Sequence, residues 1–210
     1  MIRNIVFDMG NVLLMYDPLL PCRRYAASEE DARLLHAAIF STPDWLALDG
    51  GELDERELLA RAQARLDTQA LRDTAARLMV DWHLDALWPK AGMDRVVEEL
   101  LSRGFKLYIL SNAGTRFRQY QYKIPHLHQF SGVLVSAEER MLKPSLAIFE
   151  RLCQRYALAP EECLFIDDVP CNAAGAQACG MQAYCFADGD VARLSATLRQ
   201  LASAEPSQQR

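Results

Sequence analysis

The tightest constraint on the fold is the run Ile5-Val6-Phe7-Asp8, three apolar residues that stop on a carboxylate and pass at once into Met9-Gly10-Asn11. Consecutive apolar residues without alternation fit a strand covered on both faces, which is the habit of parallel sheets. Four later segments read the same way: Lys106–Ser111, Gly132–Ser136, Cys163–Asp167 and Gln182–Phe186. Helical periodicity accompanies them. Met93–Ser102 carries Val96, Val97, Leu100 and Leu101 on one face and is closed by Arg103-Gly104. Ser145–Tyr156 follows Pro144 with Leu146, Ile148, Phe149 and Leu152, and Asn172–Cys179 is an alanine-rich helix ended by Gly180. Short strands alternating with helices of this length predict a doubly wound α/β sheet.

About 95 residues separate the first strand from the second, far more than a strand-to-helix connection needs. The intervening sequence reads as helical throughout. Ser28-x-x-Asp31 resembles a capping box with Asp in place of Glu and leads into Arg33–Ile39. Asp54 is placed to cap Glu55–Leu66, and Gln69–His83 is a third amphipathic segment. The expectation is an all-helical module over residues 16–88, inserted into a core formed by 1–15 and 89–210. Its loops would lie over the C-terminal ends of the strands, where open α/β sheets bind ligands. The polar tail Ser203–Arg210 is expected to fray.

Composition excludes several classes. The net charge is −5 and no Lys/Arg-rich run is present, so the electrostatic footprint of a nucleic-acid binder is missing. Attraction for an anionic substrate must therefore be local to a site. No apolar stretch approaches the roughly 20 residues of a membrane span, and Asp8 interrupts the N-terminal run before it could serve as a signal peptide. The cysteines Cys22, Cys153, Cys163, Cys171, Cys179 and Cys185 form no C-x-x-C pair or zinc spacing, and their apolar surroundings suit reduced thiols. A cytoplasmic location is expected.

Four polar signals end the strands or follow them. Asp8 closes the first strand, Ser111-Asn112 the second, Lys143-Pro144 precedes a helix, and Asp167-Asp168 closes the strand Leu164-Phe165-Ile166. Each alone has an ordinary reading as a turn, a cap or a surface charge. As a set they have a chemical one. A carboxylate can act as a nucleophile that forms an aspartyl-phosphate. A hydroxyl with backbone N–H groups, from Ser111 and Asn112, can hold phosphoryl oxygens. Lys143 supplies a point charge to a phosphate and can pair with Asp167. Two adjacent carboxylates repel unless a cation compensates. Magnesium favours carboxylates, a carbonyl and phosphate oxygen, so Asp8, the Gly10 carbonyl, Asp168 and Asp167 are its candidate ligands. Asn172 is a candidate to orient Asp168, or simply a helix cap. Nucleotide-binding glycine loops and a G-x-S-x-G elbow are absent. His36, His83, His126 and His128 read as packing or surface residues.

At these residues the chain resembles the haloacid dehalogenase superfamily, which implies a Rossmann-like fold with the helical insertion as a type 1 cap. Phe7-Asp8-Met9-Gly10-Asn11-Val12-Leu13, Trp45 with Asp49-Gly50-Gly51-Glu52-Leu53, Leu110-Ser111-Asn112 and Arg140-Met141-Leu142-Lys143-Pro144 are similar to the bacterial α-D-glucose-1-phosphate phosphatase group. The resemblance implies Asp8 as nucleophile, Ser111 as phosphate binder, Lys143 as the catalytic lysine and Asp167 and Asp168 as magnesium carboxylates. One departure stands out. Phosphatases of this superfamily usually carry a general-acid Asp two residues after the nucleophile, and here that residue is Gly10. General acid catalysis is worth roughly 10²–10⁴-fold, and its loss hurts least when the leaving group is already acidic. Sugar 1-phosphates or acyl phosphates are therefore favoured over 6-phosphates. Asp17 is a candidate substitute acid, or an ordinary turn with Pro18. Trp45, Leu46, Asp49 and Glu52 are candidate substrate contacts from the cap.

The leading expectation is a magnesium-dependent phosphatase of a small phosphorylated metabolite. Two alternatives stay open: a 2-haloacid dehalogenase-type hydrolase, which needs no metal pair, and a non-catalytic phosphate-binding or regulatory protein. Receiver domains use similar residues in another order, with the acidic pair first, and lack the insertion.

Overall fold

The computed structural model describes residues 1–202. Among these residues the seven strands are β1 (Asn4–Phe7), β2 (Leu14–Tyr16), β3 (Leu87–Pro89), β4 (Lys106–Ser111), β5 (Gly132–Val135), β6 (Cys163–Asp167) and β7 (Gln182–Cys185). Five of them form one sheet in the order β5-β4-β1-β6-β7, with every neighbouring pair parallel. β1 is central and all four of its residues are buried. Its register sets Phe7 beside Ile109 of β4 and Ile166 of β6. The carboxylate at position 8 thus emerges between the ends of two other strands.

Burial explains the apolar runs. Ile5, Phe7, Leu107, Ile109, Leu164 and Ile166 pack into one core. Val6, Tyr108, Leu110, Cys163 and Phe165 pack into a second, on the other face. Successive side chains of a strand point to opposite faces, so a strand covered on both sides has no polar position to spare. Helices α1 (Leu19–Tyr25), α2 (Glu29–Ile39), α3 (Pro43–Asp49), α4 (Glu55–Ala64) and α5 (Gln69–Ala86) all lie between β2 and β3. They are followed by α6 (Met93–Ser102), α7 (Phe117–Tyr120), α8 (Ser136–Glu139), α9 (Leu146–Tyr156), α10 (Pro170–Ala178) and α11 (Val191–Ala202). α6 and α11 cover the Ile5/Phe7 face through Val96, Val97, Leu194 and Leu198, while α9 and α10 cover the Val6 face through Ile148, Phe149 and Ala176.

The strands match the sequence expectation to within a residue at each end. Asp8 itself lies beyond β1, although its N–H still donates to the Ile166 carbonyl at 2.8 Å. The ribbon β2–β3 is not foreseen in the sequence, because three-residue strands carry no period. It pairs Tyr16 with Leu87 antiparallel, so the chain leaves the sheet layer and returns to it at adjacent points. α1, α3 and α11 likewise escape the sequence reading. The full capping box forms at Asp54, which accepts from the Glu57 N–H at 2.8 Å while Glu57 accepts from the Asp54 N–H at 3.2 Å. Ser28 supplies the forward half of such a box, accepting from the Asp31 N–H at 3.1 Å. α5 contains a kink at Asp81, whose carboxylate accepts from the Tyr25 hydroxyl. All six cysteines are free thiols. Ser203–Arg210 lie outside the described residues.

Candidate active site

The tip of β1 gathers the predicted residues. The Lys143 ammonium donates to Asp8 Oδ1 at 2.6 Å and to Asp167 Oδ2 at 2.7 Å. All three are buried, and the Lys143 side chain is 1% exposed. A lysine so placed is fixed by its partners and by Phe165, whose ring centroid lies 5.3 Å from Nζ. Asp8, Asp167 and Asp168 each bring a carboxylate oxygen within 4.8 Å of the others. Three carboxylates thus share one ammonium, an excess of negative charge that a divalent cation would offset.

The two neighbouring acids differ in their surroundings. Asp167 accepts from Lys143, from the Asn172 Nδ2 at both carboxylate oxygens (3.1 and 3.0 Å), and from the Val169 N–H at 2.8 Å. Asp168 accepts from the Asn11 amide at 3.2 Å. Asn172 therefore orients Asp167, and the expectation that it orients Asp168 is corrected: that task falls to Asn11. Asn11 sits at φ +54°, a left-handed conformation that Asn tolerates better than most residues. Its side-chain oxygen also accepts from the Tyr16 N–H.

Burial dominates the electrostatics. It pushes the Asp8 carboxyl up to about 7, with Lys143 opposing and Asp167 reinforcing the rise. Burial also raises Asp168, opposed by the Asn11 hydrogen bond. For Lys143, burial works against the charged form, but Asp8 and Asp167 outweigh it and the net shift is upward. The donor set fits magnesium: oxygen ligands only, excess negative charge, and neighbours free to supply further oxygens.

The second-strand residues divide in role. Ser111 Oγ is buried and has no hydrogen-bond partner among the described residues, the state of a hydroxyl whose partner is a ligand oxygen. The Asn112 side chain is engaged at both ends with the Lys143 main chain. Its place in a phosphate-binding set therefore rests on its main chain. Ser111 and Asn112 open onto a cavity of about 200 Å³ together with Asp8, Gly10 and Lys143. The far walls are aromatic and aliphatic: Tyr16, Trp45, Leu48, Trp82, Leu87 and Tyr120. Trp45 and Trp82 meet edge-on at 5.1 Å between ring centroids, and Phe40 packs against both.

Of the candidate cap contacts, Trp45 and Asp49 line the cavity. Leu46 does not; it is 54% exposed. Glu52 is also absent from the lining. One turn of helix carries Trp45 and Asp49 inward together at i and i+4, which leaves Leu46 outward. Asp17 is a turn residue whose Oδ1 accepts from the Leu19 N–H at 2.9 Å, and it does not line the cavity. Residues missed in the sequence are Arg116, Tyr120, Tyr16 and Glu55, which reach the cavity from segments without a polar signature.

The chain matches the haloacid dehalogenase-like hydrolase family over residues 2–180. It belongs to that family. A sesquiterpene phosphatase of Aspergillus oryzae is 25% identical over 180 residues, spanning 85% of this chain and 87% of that protein. Among solved structures, a predicted HAD-like family hydrolase from Porphyromonas gingivalis superposes with a TM-score of 0.70 at 27% identity, covering 98% of this chain and 100% of its own. A HAD family enzyme from Bacteroides thetaiotaomicron, solved with magnesium and inorganic phosphate, gives a TM-score of 0.65 at 19% identity over 88% and 94% of the two chains. Solved 2-haloacid dehalogenases share the fold as well. This chain is thus a HAD-like hydrolase with the Rossmann-like parallel sheet of that family. Among the described residues no helix is long and apolar enough to cross a membrane.

Proposed function

We propose that this HAD-like hydrolase is a magnesium-dependent phosphatase of a small phosphorylated metabolite, acting through a phosphorylated Asp8. The observation that carries the reading is the Lys143 ammonium held between Asp8 and Asp167, with the unpartnered Ser111 hydroxyl opening onto the same cavity. Asp8 attacks phosphorus from the strand tip, while Ser111 and the Asn112 main chain receive the phosphoryl oxygens. Lys143 balances their charge and keeps Asp8 aligned. Magnesium, when bound, neutralises the charge that grows on the transferred group. Asp8, Asp168 and the Gly10 carbonyl would hold it. Asp167, already accepting from Lys143, Asn172 and Val169, is better suited to anchoring the lysine than to direct ligation.

Residues 16–88, the five helices between β2 and β3 with the ribbon that bounds them, act in this reading as the cap and supply most of the far walls. Those walls suit the apolar face of a sugar ring or a compact hydrocarbon group, and the Aspergillus relative is named a sesquiterpene phosphatase. Gly10 lacks the acid side chain usual beside the nucleophile, and sugar 1-phosphates, whose anomeric oxygen leaves readily, ask least of whatever group replaces it, so they are favoured over 6-phosphates. A screen of phosphorylated metabolites with magnesium tests this. Turnover of 1-phosphates above 6-phosphates is expected; the reverse order contradicts the leaving-group argument. Dehalogenation of a 2-haloacid that survives EDTA would replace the phosphatase reading.

A further inference from the structure

Gly10 leaves the strand tip without a proton donor, and the cavity offers a replacement on its opposite wall. Five titratable residues besides Asp8 and Asp49 line it. Tyr16 and Tyr120 are driven by burial well above their ordinary range, which makes them poor acids near neutral pH. Glu55 is ion-paired with Arg116, itself a permanent cation. Lys143 is committed to Asp8 and Asp167. Asp49 remains, at the C-terminal end of α3.

We infer that Asp49 is the general acid of the reaction, donating its proton to the leaving oxygen in place of the side chain missing at Gly10. The inference rests on the phosphatase reading above and deepens it. Position is the first support. The turn after α3 is fastened to the core at three points around Asp49. Gly114 packs beside its carboxylate, whose Oδ1 would lie 3.9 Å from a Cβ placed there, and the Ser136 hydroxyl donates to its main-chain carbonyl. Gly51, at φ +70°, packs so closely that a Cβ there would lie 2.4 Å from the Ala137 carbonyl oxygen. Asp49 is therefore registered against the loop after Ser111, the same loop that would hold the phosphate. Protonation is the second support. Burial pushes the Asp49 carboxyl up to about 8, against the Gly114 hydrogen bond and reinforced by Asp8. With Tyr16, Tyr120, Asp8 and the Glu55–Arg116 pair as its charged or titratable surroundings, it holds a proton at neutral pH.

In the first half-reaction the Asp8 oxygen bonds to phosphorus, the bond from phosphorus to the leaving oxygen breaks, and the Asp49 proton moves to that oxygen. Asp49 is left as a carboxylate. In the second half it takes a proton from the attacking water as the Asp8–phosphorus bond breaks, releasing phosphate and restoring the acid. Both halves balance without a further reagent.

The test compares p-nitrophenyl phosphate, whose leaving group needs no proton, with benzyl phosphate, whose alkoxide does. With magnesium, Asp49→Asn is expected to lower kcat/KM for benzyl phosphate by about 10²–10³-fold, while p-nitrophenyl phosphate loses less than about tenfold. Asp49→Glu should recover part of the benzyl activity. Wild-type kcat/KM for benzyl phosphate should fall as pH rises through about 8, and the p-nitrophenyl profile should lack that limb. The pH comparison needs no variant and so does not depend on how the substitutions fold. Equal losses on both esters, no loss on either, or identical pH profiles would overturn the assignment. Absence of turnover of both esters by the wild type would instead overturn the phosphatase reading, and the inference with it.

Discussion

Asn112 and Lys143 exchange two hydrogen bonds: the Asn112 amide donates to the Lys143 carbonyl at 3.0 Å and accepts from the Lys143 N–H at 2.9 Å. The pair ties the end of β4 to the loop before α9, and so sets where the ammonium meets Asp8. Asn112→Ala removes both bonds and keeps the main chain that lines the cavity. Misplacing a catalytic group by an ångström costs on the order of 10²-fold in rate, so kcat for p-nitrophenyl phosphate should drop by about that much. Steady-state kinetics at saturating magnesium checks it.

Lys143 itself balances buried carboxylates. Removing one partner of a buried charge cluster typically costs about 3–5 kcal/mol, because the remaining charges lose their compensation. Lys143→Met should therefore melt well below the wild type in EDTA. Magnesium should restore part of the loss in the variant, since Asp8, Asp167 and Asp168 can then share a cation. Thermal denaturation with and without the metal reads both effects.

How much of this was visible in the sequence depends on which interaction fixed each element. β1, β4 and β6 were legible because burial on both faces leaves no choice but an apolar run, and their polar ends named Asp8, Ser111 and Asp167 directly. α3 was not, because its seven residues span too few turns for a period to emerge, and Pro43 at its start reads equally as a loop. The β2–β3 ribbon was invisible for the same reason. In the sequence Asn11 is only the residue that follows Met9-Gly10, yet its amide holds Asp168, a contact made across 157 residues that no local pattern encodes. The sequence marks Asp49 as a candidate substrate contact. Its role as a proton donor rests on the burial and the cavity that only the folded chain provides.

The raised Asp49 carboxyl also makes a stability prediction. Its folded value, about 8, lies above the ordinary 3.8. A group raised in the folded state contributes its stability fully below the unfolded value, and that contribution is lost as pH climbs through the folded one. Between about pH 4 and pH 8 the wild type should lose more unfolding free energy than Asp49→Asn, which cannot ionise. Urea denaturation at pH 5 and pH 8 compares the two slopes; parallel losses would show that Asp49 titrates normally.

Arg116 joins the loop after β4 to the helical segment. It pairs with Glu55 at the start of α4 and donates to the Val80 carbonyl of α5. The Glu55 hydrogen bond raises its guanidinium above the usual range, against the opposing effect of burial. Arg116→Ala should loosen the far wall from the floor. The expected result is a KM several-fold higher for benzyl phosphate with a smaller change for inorganic phosphate as a product inhibitor, measured in the same assay.

The nucleophilic role of Asp8 is tested most directly by phosphate release from Asp8→Asn in the presence of magnesium. Loss of a nucleophile that acts as one unit with its partners should reduce turnover by about 10³-fold or more, in a protein that melts no lower than the wild type because the buried carboxylate has become neutral. Magnesium-dependent turnover by Asp8→Asn within a few-fold of the wild type would contradict the account.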